Sequence, residues 1–229
     1  MKRRGRKYKE VKKLVEPKAY LLSEAVALLK KTSPTKFDGT CEVHLRLNVD
    51  PKHADQQVRG TISLPHGTGK KVSVIAFVPE ALEKVAKEAG ADDAGLHLVE
   101  KIEKGWLDFD TAVATPDVVK SLGKIVKTLG QKGLMPNPKA GTVGPDVKKI
   151  IEEIKKGRVE FRVDSAGIIH NVFGKVSFDD AKLEENLKTF LRAITAAKPA
   201  GVKGTFVKSR SITTTMGPGI RMDVNKALT

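Results

Sequence analysis

Ser209, Ser211, Thr213 and Thr215 recur at every second position, the spacing that sets four side chains on one face of a β-strand. A hydroxyl both donates and accepts hydrogen bonds, so a row of them suits ribose 2′-OH groups and phosphate oxygens. Met216-Gly217-Pro218 follows at once, and a glycine there lets the backbone come close to a partner. The competing reading is a solvated polar face of an ordinary strand, and periodicity does not choose between the two.

Other candidate chemistry is weaker. Gly67-Thr68-Gly69-Lys70 invites comparison with a phosphate-binding loop. The spacing before the lysine is wrong, Lys71 stands where Ser or Thr belongs, and a strand rather than a helix is expected next, so a hinge is the better use. His44, His53, His66, His97 and His170 are scattered without metal-ligand spacing, and a single cysteine cannot help them. Cys41 falls on the apolar side of its segment and reads as a buried, inert thiol. Lys36-Phe37-Asp38 precedes that segment, and on pattern alone Phe37 reads as core. The stretch Gly130–Gly144 is dense in Gly, Pro and Lys and reads as a long ordered loop presenting Lys132 and Lys139 to a polyanion.

Charge narrows the partner class. The 229 residues carry a formal net charge of +15 with a pI near 9.8, an excess that attracts polyanions. The longest apolar runs are a few residues, too short for a membrane span. One cysteine and no visible signal peptide point to a reducing, cytosolic setting. The basic start, Met1 to Lys7, reads as a solvated tail or an RNA-clasping arm, with a nuclear address as a weaker third. Aromatic residues make up only 5% of the chain, unlike single-strand readers that stack bases on several rings. If the polyanion is RNA, a folded shape rather than a single strand is the expected ligand.

Two grammars of secondary structure must position these residues. Cys41–Asp50 alternates apolar and polar residues strictly, the pattern of a strand wet on one face. Val159, Phe161 and Val163 repeat it, and Thr205–Thr215 is a third, β-branched candidate. Helices are expected near Ser23–Lys31 and Asp180–Ala197. The middle differs. Lys71–Val78 is nearly continuously apolar, as is Phe109–Ala114. Helical stripes follow at Leu82, Val85, Ala86 and Ala89, at Leu122, Ile125, Val126 and Leu129 (started by Thr115-Pro116 and ended by Gly130), and at Val147, Ile150, Ile151 and Ile154. Strands alternating with helices imply a three-layer α/β unit. A discontinuous domain, 1–67 plus 160–229, interrupted by an inserted domain, 68–159, accounts for both grammars. The insert holds 16 basic and 13 acidic residues, leaving 26 basic and 14 acidic outside it. RNA is therefore expected on the outer domain.

Several stretches resemble one family, large-subunit ribosomal protein one (L-one) of bacterial type. They are Thr35-Lys36-Phe37-Asp38, Asp55-Gln56-Gln57-Val58-Arg59-Gly60, Leu64-Pro65-His66-Gly67-Thr68-Gly69-Lys70 and Ala114-Thr115-Pro116-Asp117. Gly133-Leu134-Met135-Pro136-Asn137-Pro138-Lys139, Gly141-Thr142-Val143-Gly144 and Thr213-Thr214-Thr215-Met216-Gly217-Pro218 complete the set. The resemblance implies a mixed α/β and α+β fold: a split β-α-β (ferredoxin-like) domain from both termini and an inserted Rossmann-like domain. It implies a cytoplasmic ribosomal protein, not an enzyme, that binds the mobile stalk of large-subunit rRNA near exit-site tRNA. A second implied role is translational repression through the mRNA leader of its own operon. No cofactor, metal or membrane is implied, and the chain is expected to be a monomer outside the ribosome.

Carried over by position, the family's RNA patch falls on Lys36, Phe37, Thr40, Glu42, Asp164, Ser209, Thr215, Met216 and Gly217, to which the hydroxyl row adds Ser211 and Thr213. Phe37 thereby moves from expected core to expected RNA neighbour. Two departures stand out: Gln131-Lys132 replaces the usual Pro-Arg, and Ser165 replaces a frequent lysine. A nucleotide-binding enzyme and a DNA-binding regulator are the other classes the sequence admits. The first lacks a phosphate fingerprint, and the second rests on charge alone.

Overall fold

The computed structural model describes residues 5–224, the side chains of Ala54 and Lys139 excepted. Met1–Arg4 of the expected basic arm thus lie outside the described residues, as does the Lys139 side chain. Helix α1 (Arg6–Lys12) and helix α2 (Leu22–Lys31) precede strand β1 (Thr40–Leu47). Helix α2 buries Ala25, Val26 and Leu29 on one stripe. At its start the Leu21 N–H donates to Glu24 Oε2 at 3.4 Å, just ahead of the turn whose own amide donors a helix leaves unpaired. Strand β2 (Arg59–Ser63) then leads into the turn through Pro65 and Gly69.

Beyond that turn the pattern changes, as its apolar run requires. Strands β3 (Val74–Phe77), β4 (Asp93–Ala94) and β5 (Thr111–Ala114) form a parallel sheet of order β4-β3-β5. Strand β3 is buried on both faces: Ile75 and Phe77 join one apolar cluster, Val74 and Ala76 another. Four helices that belong here are α3 (Glu80–Glu88), α4 (His97–Glu103), α5 (Pro116–Val119) and α6 (Val126–Lys132), and helix α7 (Val147–Lys155) completes the set. Leu98 and Ile102 of α4 pack on the first cluster with Leu122, Ile125 and Leu129; Ala86 of α3 and Val147, Ile151 and Ile154 of α7 pack on the second. The single helix expected from Thr115 to Gly130 is broken by a 3-10 turn at Lys120–Lys124. Gly123 lies in that break, where its backbone freedom disfavours a continuous α-helix. Helix α6 runs past Gly130 and stops at Gly133, which adopts the left-handed conformation that suits glycine.

The chain then returns through strands β6 (Arg158–Arg162) and β7 (Ile168–Lys175), helix α8 (Asp180–Ala196) and strands β8 (Val207–Thr214) and β9 (Ile220–Met222). Strands β7, β1, β8 and β9, in that order, make an antiparallel sheet, and β2 pairs with β6. Leu183, Leu187, Phe190, Leu191 and Ile194 of α8 share one core with the α2 stripe and with Cys41, Val43, Leu45 and Ile212 of the sheet. Full burial of each large apolar side chain there contributes about 1.5–3 kcal/mol. The one fully buried amide among them, Asn186, is saturated: Oδ1 accepts the His66 N–H at 3.0 Å, and Nδ2 donates to the Gly67 and Phe173 carbonyls at 2.9 Å. It pins the Pro65–Gly69 turn to β7. The described residues fall into two compact units, one from the segments up to Gly69 and from Val159 onward, the other Lys70–Arg158. The fold is mixed α/β.

Candidate nucleic-acid interface

The register of the antiparallel sheet decides which side chains share its open face. Glu42, His44 and Arg46 of β1 stand opposite Thr213, Ser211 and Ser209 of β8. Ser211 in turn stands opposite Arg221 of β9, and His44 opposite His170 of β7. The alternate residues, Cys41, Val43, Leu45 and Ile212, point into the core beneath α2 and α8. Hydroxyls, a carboxylate, imidazoles and two arginines therefore share a face that neither helix covers. Burial pushes the Cys41 thiol up to about 12, so at neutral pH it is a protonated core side chain, not a nucleophile.

The hydroxyl row divides into two halves. Thr213 Oγ1 donates toward the carbonyls of Thr214, Gly217 and Pro218 at 3.1–3.3 Å, holding the turn that follows β8. Thr215 Oγ1 accepts the Thr40 N–H at 3.0 Å, while the Thr215 N–H donates to the Thr40 carbonyl at 3.0 Å. Thr40 Oγ1 accepts from Lys175 Nζ at 2.9 Å. Ser209 and Ser211 make no side-chain hydrogen bond among the described residues, and they remain available to a ligand. The alternation that suggested four equivalent hydroxyls thus covers two positioning groups and two open ones.

The Thr40–Thr215 bonds join the two loops that matter most. Before Thr40, the loop carrying Lys36 and Phe37 is anchored by Asp38, whose two carboxylate oxygens accept the Ser177 N–H at 3.0 Å and the Ser177 Oγ–H at 2.8 Å. Phe37 is 61% exposed, so its expectation as core from pattern is corrected: its chain neighbours are tied down, and the ring is left outside. After Thr215, the Gly217 N–H closes a turn onto the Thr214 carbonyl at 2.8 Å. Met216 sits in this turn at φ 65°, the only non-glycine residue with positive φ among those described, and is 72% exposed. A non-glycine residue in that sparsely allowed region is held there by its surroundings. A Cβ at Gly217 would overlap Thr214 Oγ1, a buried hydroxyl with no hydrogen-bond partner among the described residues.

Asp164 occupies the turn before β7. Its Oδ1 accepts the N–H groups of Ile168 at 2.8 Å and Ala166 at 2.9 Å, and these bonds, Ile168 first, hold its carboxyl below the ordinary carboxylate range. Its other oxygen lies 3.5 Å from His170 Nε2. The structure thus brings Lys36, Phe37, Thr40, Thr215, Met216 and Gly217 to one end of the β1–β8 pair. Glu42, Ser209, Ser211 and Thr213 lie along it, and Asp164 beside β7. Periodicity had left out Arg46, Arg221 and the His44–His170 pair. The polar side of the same alternation contained His44 and Arg46, and only the register could add the other two.

The remaining candidates behave differently. Lys70 Nζ lies 2.5 Å from Asp110 Oδ1 within the α/β unit, so this lysine is engaged with a carboxylate. The loop expected from Gly130 begins only after Lys132, the exposed last residue of α6, and is tied to β5: the Ala114 N–H donates to the Thr142 carbonyl at 3.0 Å and the Gly144 N–H to the Ala114 carbonyl at 3.2 Å. No described helix is long and apolar enough to cross a membrane. Residues 29–218 match the model of a family described as "Ribosomal protein L1p/L10e family".

Proposed function

As the chain belongs to the ribosomal protein L1p/L10e family, we propose that its open β1–β8 face grips the mobile stalk of large-subunit ribosomal RNA. Membership alone makes it a large-subunit ribosomal protein that binds rRNA, and not an enzyme. The finer reading takes 1–67 plus 160–229 as the RNA-binding domain of split β-α-β type and 68–159 as a Rossmann-like insert.

One observation carries the reading: the Thr40–Thr215 bonds hold the Lys36-Phe37 loop beside the Met216 turn. Exposed apolar side chains, a lysine and a close-approach glycine thereby flank a row of polar groups. Double-helical RNA presents a wide, shallow minor groove lined with 2′-OH groups, and a flat polar sheet face with a raised rim suits that shape. Basic residues supply salt-dependent attraction without selectivity. Selectivity comes from the rim, whose backbone is fixed before RNA arrives.

The same face serves the further roles in this proposal. A monomer off the ribosome would bind the mRNA leader of its own operon there, repressing it, and lose it to rRNA by competition. On the ribosome, movement of the bound stalk would accompany release of deacylated tRNA from the exit site. Binding of an in vitro transcribed stalk fragment, with an unstructured RNA of equal length beside it, tests the core claim. The double substitution Phe37→Ala/Met216→Ala is expected to weaken the stalk complex by about 1.5–3 kcal/mol, the scale of burying one large apolar side chain. Unstructured RNA should be nearly unaffected, and equal weakening of both RNAs contradicts the reading.

A further inference from the structure

We propose that His44 and His170 are additional members of the RNA-binding surface that act as one unit, taking up a proton when a backbone phosphate arrives beside them. The inference rests on the RNA-binding reading of the sheet face, and it adds a ligand-linked ionisation to it.

The geometry is a four-membered polar chain. His44 Nδ1 and His170 Nδ1 are 2.7 Å apart, so the two rings share a single hydrogen. The outer nitrogens each look toward a carboxylate: His44 Nε2 is 3.8 Å from Glu42 Oε2, and His170 Nε2 is 3.5 Å from Asp164 Oδ2. A neutral imidazole carries one N–H. Two neutral rings therefore bring two hydrogens to three positions, and one outer nitrogen must turn a lone pair toward a carboxylate. A third hydrogen gives both outer nitrogens an N–H that faces a carboxylate. The pair thus has a defined place for one extra proton.

The surroundings decide when that proton is taken. Glu42 and Arg46 lie on β1, and Asp164 sits in the turn before β7. Arg162 of β6 is brought alongside by the Val163–Ile169 bridge, and Arg221 of β9 lies one strand beyond Ser211. Glu42 favours the extra proton on His44, while the like charge of the three arginines opposes it. Burial, together with repulsion from His170, also holds His44 below its ordinary value. A phosphate settling among Ser211, Arg46 and Arg221 offsets the arginines and tips the balance toward the protonated pair. The His170 ring is about half exposed, so its Nε2 hydrogen can turn from Asp164 to a phosphate oxygen. By linkage, a site that gains a proton on binding binds more tightly as pH falls toward the histidine range.

Calorimetric titration of the full chain with the stalk RNA fragment, in two buffers of different ionisation enthalpy, counts the protons directly. Net uptake approaching one proton near neutral pH is expected, with affinity rising several-fold between about pH 8 and about pH 6, and by no more than about tenfold per pH unit. The double variant His44→Asn/His170→Asn should flatten that pH dependence while keeping the unfolding midpoint. If its fold is damaged, the half-exposed His170→Asn alone should reduce the slope. Tight binding with no proton uptake, or an unchanged slope in the variants, overturns the proposal. Absence of stalk binding at every pH overturns the RNA-binding reading on which it rests.

Discussion

The two sheets of this protein handle their faces in opposite ways. In the parallel sheet every residue of β3 is buried, with apolar clusters on both sides. In the antiparallel sheet, β1 buries alternate residues and turns the others outward, and α2 and α8 cover one face only. A sheet covered twice can offer a ligand only its ends and loops, whereas a sheet covered once offers the whole of its second face. The excess of positive charge follows the second sheet, since the residues outside 68–159 hold 26 basic and 14 acidic side chains. Function is therefore expected where the alternation is strict, and stability where the apolar run is continuous.

A charge placed on each sheet sharpens that contrast most strongly. Ala76→Asp puts a carboxylate into the apolar cluster that Ala76 shares with Val74, Ala86 and Ile151, and we expect a loss above about 4 kcal/mol, enough to unfold the α/β unit. Ser211→Asp, on the open face, should alter stability by no more than about 0.5 kcal/mol while repelling RNA. Urea unfolding and RNA-binding anisotropy on both variants provide the comparison. Equal destabilisation by the two carboxylates would mean that the β1–β8 face is not open.

A smaller effect separates the halves of the hydroxyl row. Thr215→Val leaves the Thr40 N–H without its acceptor, so a stability loss of about 1–3 kcal/mol is expected, with stalk RNA weakened more than unstructured RNA. Ser211→Ala should leave stability unchanged and reduce stalk affinity by about 0.5–1.5 kcal/mol. Similar stability losses for both would show that Ser211, too, is a structural hydroxyl.

How far such distinctions could be read from residue order depends on the physics of each. Strand β1 was readable because one buried face and one wet face impose a period of two. Strand β7 was not, because the register slips between Cys41 and Glu42 of its partner and the bulge breaks its own alternation. Helix α4, only seven residues long, is too short for a stripe to stand out. The locked Thr215 escaped for another reason: its partner is the backbone of Thr40, 175 residues away, and no local pattern carries that information. Likeness to known proteins placed Phe37 outside the core where pattern had placed it inside. The anchoring of Asp38 by Ser177 supplies the physical reason.

Crosslinking in purified ribosomes tests the central claim most directly. A photoactivatable phenylalanine analogue in place of Phe37 is expected to couple to large-subunit rRNA within one folded element, the stalk. The same analogue in place of Val85, an exposed position on α3 of the other unit, should leave that element untouched. Coupling of position 37 to protein alone, or to scattered rRNA sites, would contradict the account.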